Sequence, residues 1–531
     1  MQESQWAGHE EVGYVKQKEP CGKKAQKLRG VIPNSTILRL LTEIVLSFVR
    51  PYAETYSSEH CLNARVLGAS KGGQTLDIAL TAQLALMCGR DDMDRAACGQ
   101  MDIRNFHDSM SRTEMYNCQV RRGIPRIWSV AAIRLQICPA VKLCVRNTTT
   151  PVIPRSRGAL TGNNLAPWFG RLMVEDAFLA AMPLIQSLGY SFMGISLQPM
   201  AWSDNIMAFG KSPSVVARTL AQISDILALK HLHIKEDSCE IVPASTRRLR
   251  WPSMRAGALS FDVKDEMKSL GFWISCNGDT TRNKSTMLGI LRGKLALMDK
   301  RFSAVSQTVK AFWWKLHSRG AISYFAPFIG INRTTMRALE PIINAASRKL
   351  LNVRARFNVS SELSRVREQY DACIQSFFCG SIVRYVGHTF RHANHAVCQL
   401  LSLPLQGRLT QLRLQGRRRV PSETAQANRN LFVDLGIHIS EAIAGSLDVR
   451  GHAGPVFRWG DGWFWELGDN GPGWRFAKDD KAAIACRINL LLNLFRRKRD
   501  DPILAIADAL APSFLQDVAD EPRQSQNALQ F

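Results

Sequence analysis

The stretch Met200-Ala201-Trp202-Ser203-Asp204-Asn205-Ile206-Met207-Ala208-Phe209 decides how the chain is read. An apolar run reaches Trp202, gives way to Ser203-Asp204-Asn205 and resumes at Ile206. That pattern is a β-hairpin, because Ser, Asp and Asn supply turn chemistry between two half-buried strands. Asp204 at such a tip is either a solvated turn residue or a carboxylate held at the mouth of a site.

Upstream, Gln100-Met101-Asp102-Ile103-Arg104-Asn105-Phe106-His107-Asp108 puts Asp102 at the end of an expected strand. Asp108 follows where a helix could begin, and there an Asp also serves as a plain cap. Between Asp102 and the hairpin, Arg157-Gly158-Ala159-Leu160-Thr161-Gly162-Asn163-Asn164-Leu165-Ala166-Pro167 reads as a loop into a helix. Its glycines let a backbone approach a flat or anionic ligand, although a plain loop with a helix-starting Pro167 looks similar. Met267–Ile274 reads as a short apolar strand containing Gly271. Gly68–Thr75 is a Gly-rich basic loop carrying Lys71, and Thr75 is placed to N-cap the next helix. Such a loop could hold phosphate, but it lacks the Gly-Lys-Ser/Thr ending of a P-loop.

Elsewhere the apolar spacing predicts a helix from Ile37, with Leu38, Leu41, Val45 and Phe48 on one face, stopped by Pro51. Helices are also expected near Trp128–Ile137 and over Val215–Leu229, a strand at Ala140–Val145, a turn at Thr148–Pro154, and loop into strand over Leu232–Val242. Residues 284–352 are basic and helical, with Leu291, Leu295, Met298, Phe302 and Val305 on one stripe.

The totals narrow the function class. In 531 residues, 69 Lys and Arg stand against 45 Asp and Glu, giving a net charge of +24. That excess favours a polyanionic partner, nucleic acid before membrane. Thirteen cysteines, scattered and without a C-x-x-C pair, argue for reduced thiols rather than a disulfide framework. There is no signal-peptide profile at Met1 and no membrane-spanning run, so a nuclear or cytoplasmic location is expected. Cys379, His388, His392, His395 and Cys398 cluster without the spacing of a standard zinc finger. Arg408–Arg419 is a candidate phosphate contact that a solvated linker would resemble, and Arg496–Arg499 reads as a nuclear-import or nucleic-acid patch. Trp459–Phe476 suggests a small β-rich unit, and a ribonuclease H start at Asp461-Gly462 is rejected for want of matching carboxylates.

Order and register connect these pieces. Together they resemble the palm of a non-LTR retrotransposon (LINE-type) reverse transcriptase over roughly residues 28–350. Asp102–Asp108 resembles the first palm motif. Arg157, Gly158, Gly162 and Pro167 keep the register of the Arg-Gly-x-x-Gln-Gly-x-x-x-Ser-Pro loop. Trp202–Asn205 stands in place of the aromatic-x-Asp-Asp hairpin, Lys268–Ile274 resembles the grip strand, and Gly68–Asp77 the fingers segment.

The resemblance implies an α+β right-hand polymerase: fingers, a palm with an antiparallel sheet, a helical thumb, and a basic C-terminal region. Residues 1–28 become a polar lead-in, 29–283 fingers and palm, 284–352 the thumb, and 353–531 a region of unassigned role. The implied activity is RNA-directed DNA synthesis from deoxynucleoside triphosphates, on an RNA template with a DNA primer. Asp102, Ile103 through its carbonyl, and Asp204 would hold Mg²⁺ or Mn²⁺, with Asn205 beside them. Two ions about 4 Å apart stabilise the attacking and leaving oxygens in such sites. Lys71, His107, Arg157, Gly158, Thr161, Gly162, Pro167 and Gly271 would contact nucleotide or template, His107 screening the sugar 2′ position. Lys235 falls near the family's lysine-bearing segment, but Ser238 takes that lysine's place in register.

Three positions depart from the pattern. Asn205 replaces the second hairpin Asp, Thr161 the loop Gln and Ala166 the loop Ser. An amide oxygen can coordinate a metal but brings no charge, so metal affinity is expected to fall. Alternatives are therefore a catalytically inactive nucleic-acid-binding relic, or a viral RNA-dependent RNA polymerase. No endonuclease precedes the palm, which suggests a fragment of a longer element.

Overall fold

The computed structural model describes residues 36–350 apart from short breaks. It also describes the backbone of 11–17, 28–31, 463–468 and 471–476, and five positions between 374 and 385. The chain divides into two compact units, residues 1–271 and 272–531.

The first unit opens with β1 (Glu11–Gln17) and β2 (Leu28–Val31), an antiparallel pair. Helix α1 (Thr36–His60) then runs straight through Pro51, where a stop is expected. The hydrogen bond that Pro51 cannot make is outweighed by the anchoring of the last turns. Ala53 is fully buried, Ser57 donates to Glu175 Oε2 at 2.9 Å, and Glu54 receives Arg171 at 2.5 Å. The buried face is also shifted, to Thr42, Val45, Leu46, Val49 and Ala53. Phe48 is left 47% exposed, stacked on Trp128 at 4.1 Å.

After β3 (Arg65–Val66), helix α2 (Thr75–Asp91) begins with Thr75 as its first helical residue rather than its cap. Asp77 reaches back instead, its Oδ2 accepting the Gln74 N–H at 2.8 Å. Next come β4 (Ala97–Asp102), the short α3 (Phe106–Ser109), α4 (Arg112–Arg121), α5 (Arg126–Arg134) and β5 (Ala140–Val145). The expected turn at Thr148–Pro154 contains β6 (Thr148–Thr149) and β7 (Ile153–Pro154), both antiparallel to β5. Their β-branched residues suit a strand as well as a turn.

Helix α6 (Leu165–Ile185) leads to the hairpin β8 (Tyr190–Phe192) and β9 (Ile195–Leu197), then β10 (Met200–Trp202) and β11 (Asn205–Gly210). Helix α7 (Pro213–Leu229) and strands β12 (Glu240–Pro243), β13 (Met254–Ala256), β14 (Leu259–Val263) and β15 (Glu266–Ser269) complete the unit.

The central sheet has seven strands in the order β13-β14-β12-β4-β11-β10-β3. β4 is antiparallel to both neighbours, but β10 with β3 and β12 with β14 are parallel. The sheet is therefore mixed, correcting the antiparallel expectation. Parallel partners need long crossovers, and the helices between residues 66 and 200 supply the one joining β3 to β10. β4 and β11 are buried almost end to end, as in a sheet covered on both faces. Helix α7 lies directly on β4: a Cβ on Gly99 would stand 2.7 Å from Val216 Cγ1.

Helices α1, α4 and α6 meet around buried charge. The fully buried Arg122 guanidinium pairs with Glu175 at 3.0 Å and Asp176 at 2.7 Å, while Arg171 joins Glu175 at 2.7 Å. Because every charge is matched, removing one partner strands the others in a dry interior.

The second unit contains β16 (Phe272–Ser275), then α8 (Thr281–Phe302), α9 (Gln307–Ile329) and α10 (Arg333–Leu350). Leu291, Leu295 and Met298 of the expected stripe are buried, whereas Val305 falls beyond the end of α8 and is half-buried. Asn283 holds β16 by accepting the Trp273 N–H at 2.9 Å and donating to its carbonyl at 2.7 Å. β17 (Trp463–Gly468) and β18 (Gly471–Phe476) form a hairpin inside the expected Trp-rich unit. The Cys379–Cys398 cluster, the Arg408–Arg419 and Arg496–Arg499 runs, and the C-terminal tail lie outside the described residues. Among the described residues no helix is long and apolar enough to cross a membrane.

Candidate active site

The hairpin tip is tighter than the sequence suggests. Trp202 pairs with Asn205, so the loop is Ser203-Asp204 alone and Asn205 already belongs to β11. Ser203 has φ +56°, at a position where two-residue hairpin loops favour glycine. On the neighbouring strand Asp102 stands opposite Asn205, and the Ile103 N–H donates to the Asp204 carbonyl at 2.9 Å. Facing Cα atoms in such a ladder are roughly 5 Å apart. The structure thus brings Asp102, Ile103, Asp204 and Asn205 to one end of two adjacent strands, with both aspartates partly exposed.

The backbone of Asp102 is held from its other side by the segment before β12. Its N–H donates to Ser238 Oγ at 2.9 Å, and its carbonyl accepts the Lys235 N–H at 2.8 Å. The Lys235 ammonium itself pairs with exposed Asp237 at 3.0 Å. Ser238 therefore supports Asp102 through backbone contact, where a lysine in that register would bring charge. Burial first, then the acids Asp237, Glu236 and Asp262, pushes the adjacent Cys239 thiol up to about 11, so it stays protonated.

The loop from Arg157 docks on the helix that follows Asp102. Gly158 N–H donates to the Met110 carbonyl at 2.8 Å and Ala159 N–H to that of His107 at 2.7 Å. Gly158 (φ +91°) and Gly162 (φ +115°) adopt backbone that L side chains avoid. His107 lies half-buried in α3, which starts at Phe106, so Asp108 sits in the first turn rather than at the cap. Arg157 is exposed, and Pro167 is the third residue of α6, where its missing N–H costs nothing. Thr161 and Lys71 lie outside the described residues.

The Lys71-bearing loop leaves β3 beside the hairpin. The Leu67 N–H donates to the Ala201 carbonyl at 2.8 Å, and a Cβ on Gly68 would stand 2.6 Å from the Ser203 nitrogen. The expected strand over Met267–Ile274 is instead broken after Ser269: Leu270 (φ +49°) and Gly271 (φ +88°) both have positive φ, the signature of a type I′ turn.

Sequence reasoning missed the polar network behind the tip. Asn205 Nδ2 donates to Gln100 Oε1 at 3.4 Å, and Ser269 Oγ donates to Asn205 Oδ1 at 3.4 Å. Gln100 Nε2 donates to Glu240 Oε2 at 2.9 Å and to the Lys268 carbonyl at 3.0 Å. Lys264 donates to Glu240 Oε1 at 2.7 Å, and that hydrogen bond holds its ammonium above the ordinary lysine pKa. One signal was available: strand alternation puts Gln100 on the same face as Asp102.

Two carboxylates and a backbone carbonyl suit a hard divalent ion that fills its remaining positions with water and phosphate oxygens. Among the described residues no group of three or more His, Cys, Asp or Glu side chains gathers as a metal cluster.

No protein-family model and no curated protein matches the chain. Among solved structures, apo telomerase from Candida tropicalis is similar over 79% of this chain and 69% of its own, at 8% identity and a TM-score of 0.40. A form of that enzyme truncated from its C-terminal domain gives 10% identity and a TM-score of 0.33 over 51% of this chain, which spans about half (54%) of it. The RNA-dependent RNA polymerase of a human picobirnavirus gives 11% identity and a TM-score of 0.38, over 70% of this chain and 64% of that one. All three likenesses are distant, and the functional reading rests on the geometry of the tip.

Proposed function

We propose that the chain carries the fingers, palm and thumb of a reverse transcriptase of non-LTR retroelement type, adding deoxynucleotides to a DNA primer on an RNA template. Residues 29–283 would be fingers and palm, and 284–352 the thumb, in a nuclear or cytoplasmic protein. One observation carries the reading: Asp102 ends β4 beside the two-residue hairpin loop that carries Asp204, and the other loop residue, Ser203, is held at φ +56°. Strained backbone beside a candidate carboxylate is characteristic of functional sites.

Nucleotide addition moves the primer 3′-hydroxyl proton away, forms a bond to the α-phosphorus and releases pyrophosphate, so negative charge builds on the attacking and leaving oxygens. A Mg²⁺ or Mn²⁺ ion, when bound, supplies the positive charge that stabilises them. Asp102, Asp204 and the Ile103 carbonyl are the groups that would hold it. The Gly158–Pro167 loop, fastened to His107 and Met110, would line the nucleotide, and His107 would crowd a ribose 2′-hydroxyl.

The test is primer extension by the full chain with Mg²⁺ or Mn²⁺, beside Asp204→Ala and Asp102→Asn. Each substitution is expected to cost on the order of a thousandfold in rate. Folded wild-type protein that extends no primer with either ion would sink the catalytic reading. One observation favours a second reading, a nucleic-acid-binding protein without polymerase activity: Asn205 makes its hydrogen bonds to Gln100 and Ser269. In that case Asp204→Ala leaves RNA binding unchanged or tightens it, because one negative charge is gone.

A further inference from the structure

We infer that position 205 is held as an amide by the strand beside it. The hairpin then offers metal only the Asp204 carboxylate, and Asn205 is a positioning residue of the scaffold. The role of Asp204 here rests on the proposed function; the lock on position 205 rests on hydrogen-bond polarity alone.

Gln100 is 6% exposed. Its amide nitrogen has two protons, and both are taken, one by Glu240 Oε2 at 2.9 Å and the other by the Lys268 carbonyl at 3.0 Å. Turning the amide over would set its oxygen against two other oxygens, one of them charged, so its orientation is fixed. Gln100 Oε1 therefore faces position 205, at 3.4 Å from Asn205 Nδ2, and requires a donor there. Asparagine supplies one. An ionised aspartate is an acceptor only.

The far end of the Asn205 amide is matched as well, since its oxygen takes the proton of the buried Ser269 hydroxyl. The donors thus run in one direction, Ser269 to Asn205 to Gln100 to Glu240, and Lys264 closes the chain by donating to Glu240 Oε1 at 2.7 Å. Bonds aligned in this way polarise and strengthen one another. A carboxylate at 205 would reverse one link while Glu240 forbids the others to follow.

The experiment is a double-mutant cycle in the full chain: wild type, Asn205→Asp, Glu240→Gln, and the pair together. Thermal melting and Mn²⁺ affinity are read for each. Asn205→Asp alone is expected to lower the melting temperature on the order of 3–6 °C. Glu240→Gln removes the fixed charge and adds a donor, so Gln100 can turn. The pair is expected to recover at least half of that loss despite the Lys268 carbonyl, and to bind Mn²⁺ about tenfold or more tighter than wild type, because a second carboxylate is now free to ligate.

If Asn205→Asp melts with wild type, or the two effects simply add, the inference is wrong. Equal and measurable Mn²⁺ binding by wild type and the pair overturns it too. If Asn205→Asp does not fold, a folded pair is the rescue and an unfolded pair is the refutation. Absence of Mn²⁺ binding in every variant would remove the polymerase reading of Asp102 and Asp204, and the melting cycle would still decide the lock.

Discussion

Ser203 occupies the first position of a two-residue hairpin loop with φ +56°, and a non-glycine residue held there costs about 1–3 kcal/mol. The cost is sustained because the surroundings leave the tip little choice. Ile103 N–H holds the Asp204 carbonyl at 2.9 Å, while the Gly68 backbone closes on the Ser203 nitrogen. Ser203→Gly is expected to raise stability by about 1 kcal/mol in chemical denaturation, and to slow any nucleotide addition severalfold as Asp204 gains freedom. A variant no more stable than wild type would mean that the turn stores no strain. Asp102 and Asp204 were legible as candidates only through their order and register with the Arg157–Pro167 loop between them, since either carboxylate alone also reads as a cap or a turn residue. Gln100 and Ser238 were not, since their importance lies in partners 105 and 136 residues distant.

The hairpin, β4, and the loops after β3 and before α6 were each recognisable, because turn residues and alternating apolar runs are local signals. What failed was non-local. Pro51 reads as a stop, yet α1 continues because Ala53, Glu54 and Ser57 are gripped by the core and by α6. The run Met267–Ile274 reads as one strand, yet Leu270 and Gly271 turn it. Leucine with φ +49° is a conformation no propensity would assign. Nor did local pattern reveal the parallel pairing of β3 with β10, which brings the Lys71 loop beside the tip. That contact is testable through Gly68→Ala. Its new Cβ would meet backbone at 2.6 Å, so β3 or the tip must move. The variant is expected to lose about 1–3 kcal/mol of stability and to raise the nucleotide KM. An unaltered melting temperature and KM would show that the loop is not seated on the hairpin.

The molecule as a whole carries +24, and that charge acts on partners more than on folding. A chain that neutralises six to ten phosphates should lose about a thousandfold or more in nucleic-acid affinity between 50 and 200 mM salt. Fluorescence anisotropy with labelled single-stranded RNA checks this, and binding that ignores salt would leave the charge without the proposed partner. The buried pairs among Arg122, Arg171, Glu175 and Asp176 lie at the opposite extreme. Enclosed by α1, α4 and α6, they are shielded from the salt that governs the surface. A surface that binds nucleic acid through its charge and the frame beneath it would therefore answer to different solution conditions, and an assay can vary the first without loosening the second.

The two protons on the Gln100 amide have a consequence for heredity. A single base change turns an asparagine codon into an aspartate codon, so placing a second acid at position 205 is among the shortest mutational steps open to the gene. With both protons committed to Glu240 and the Lys268 carbonyl, that step arrives on a strand that rejects it, and a change at Glu240 must come first. The acid is one base away, yet the hydrogen bonds around position 205 make the route to it two steps long.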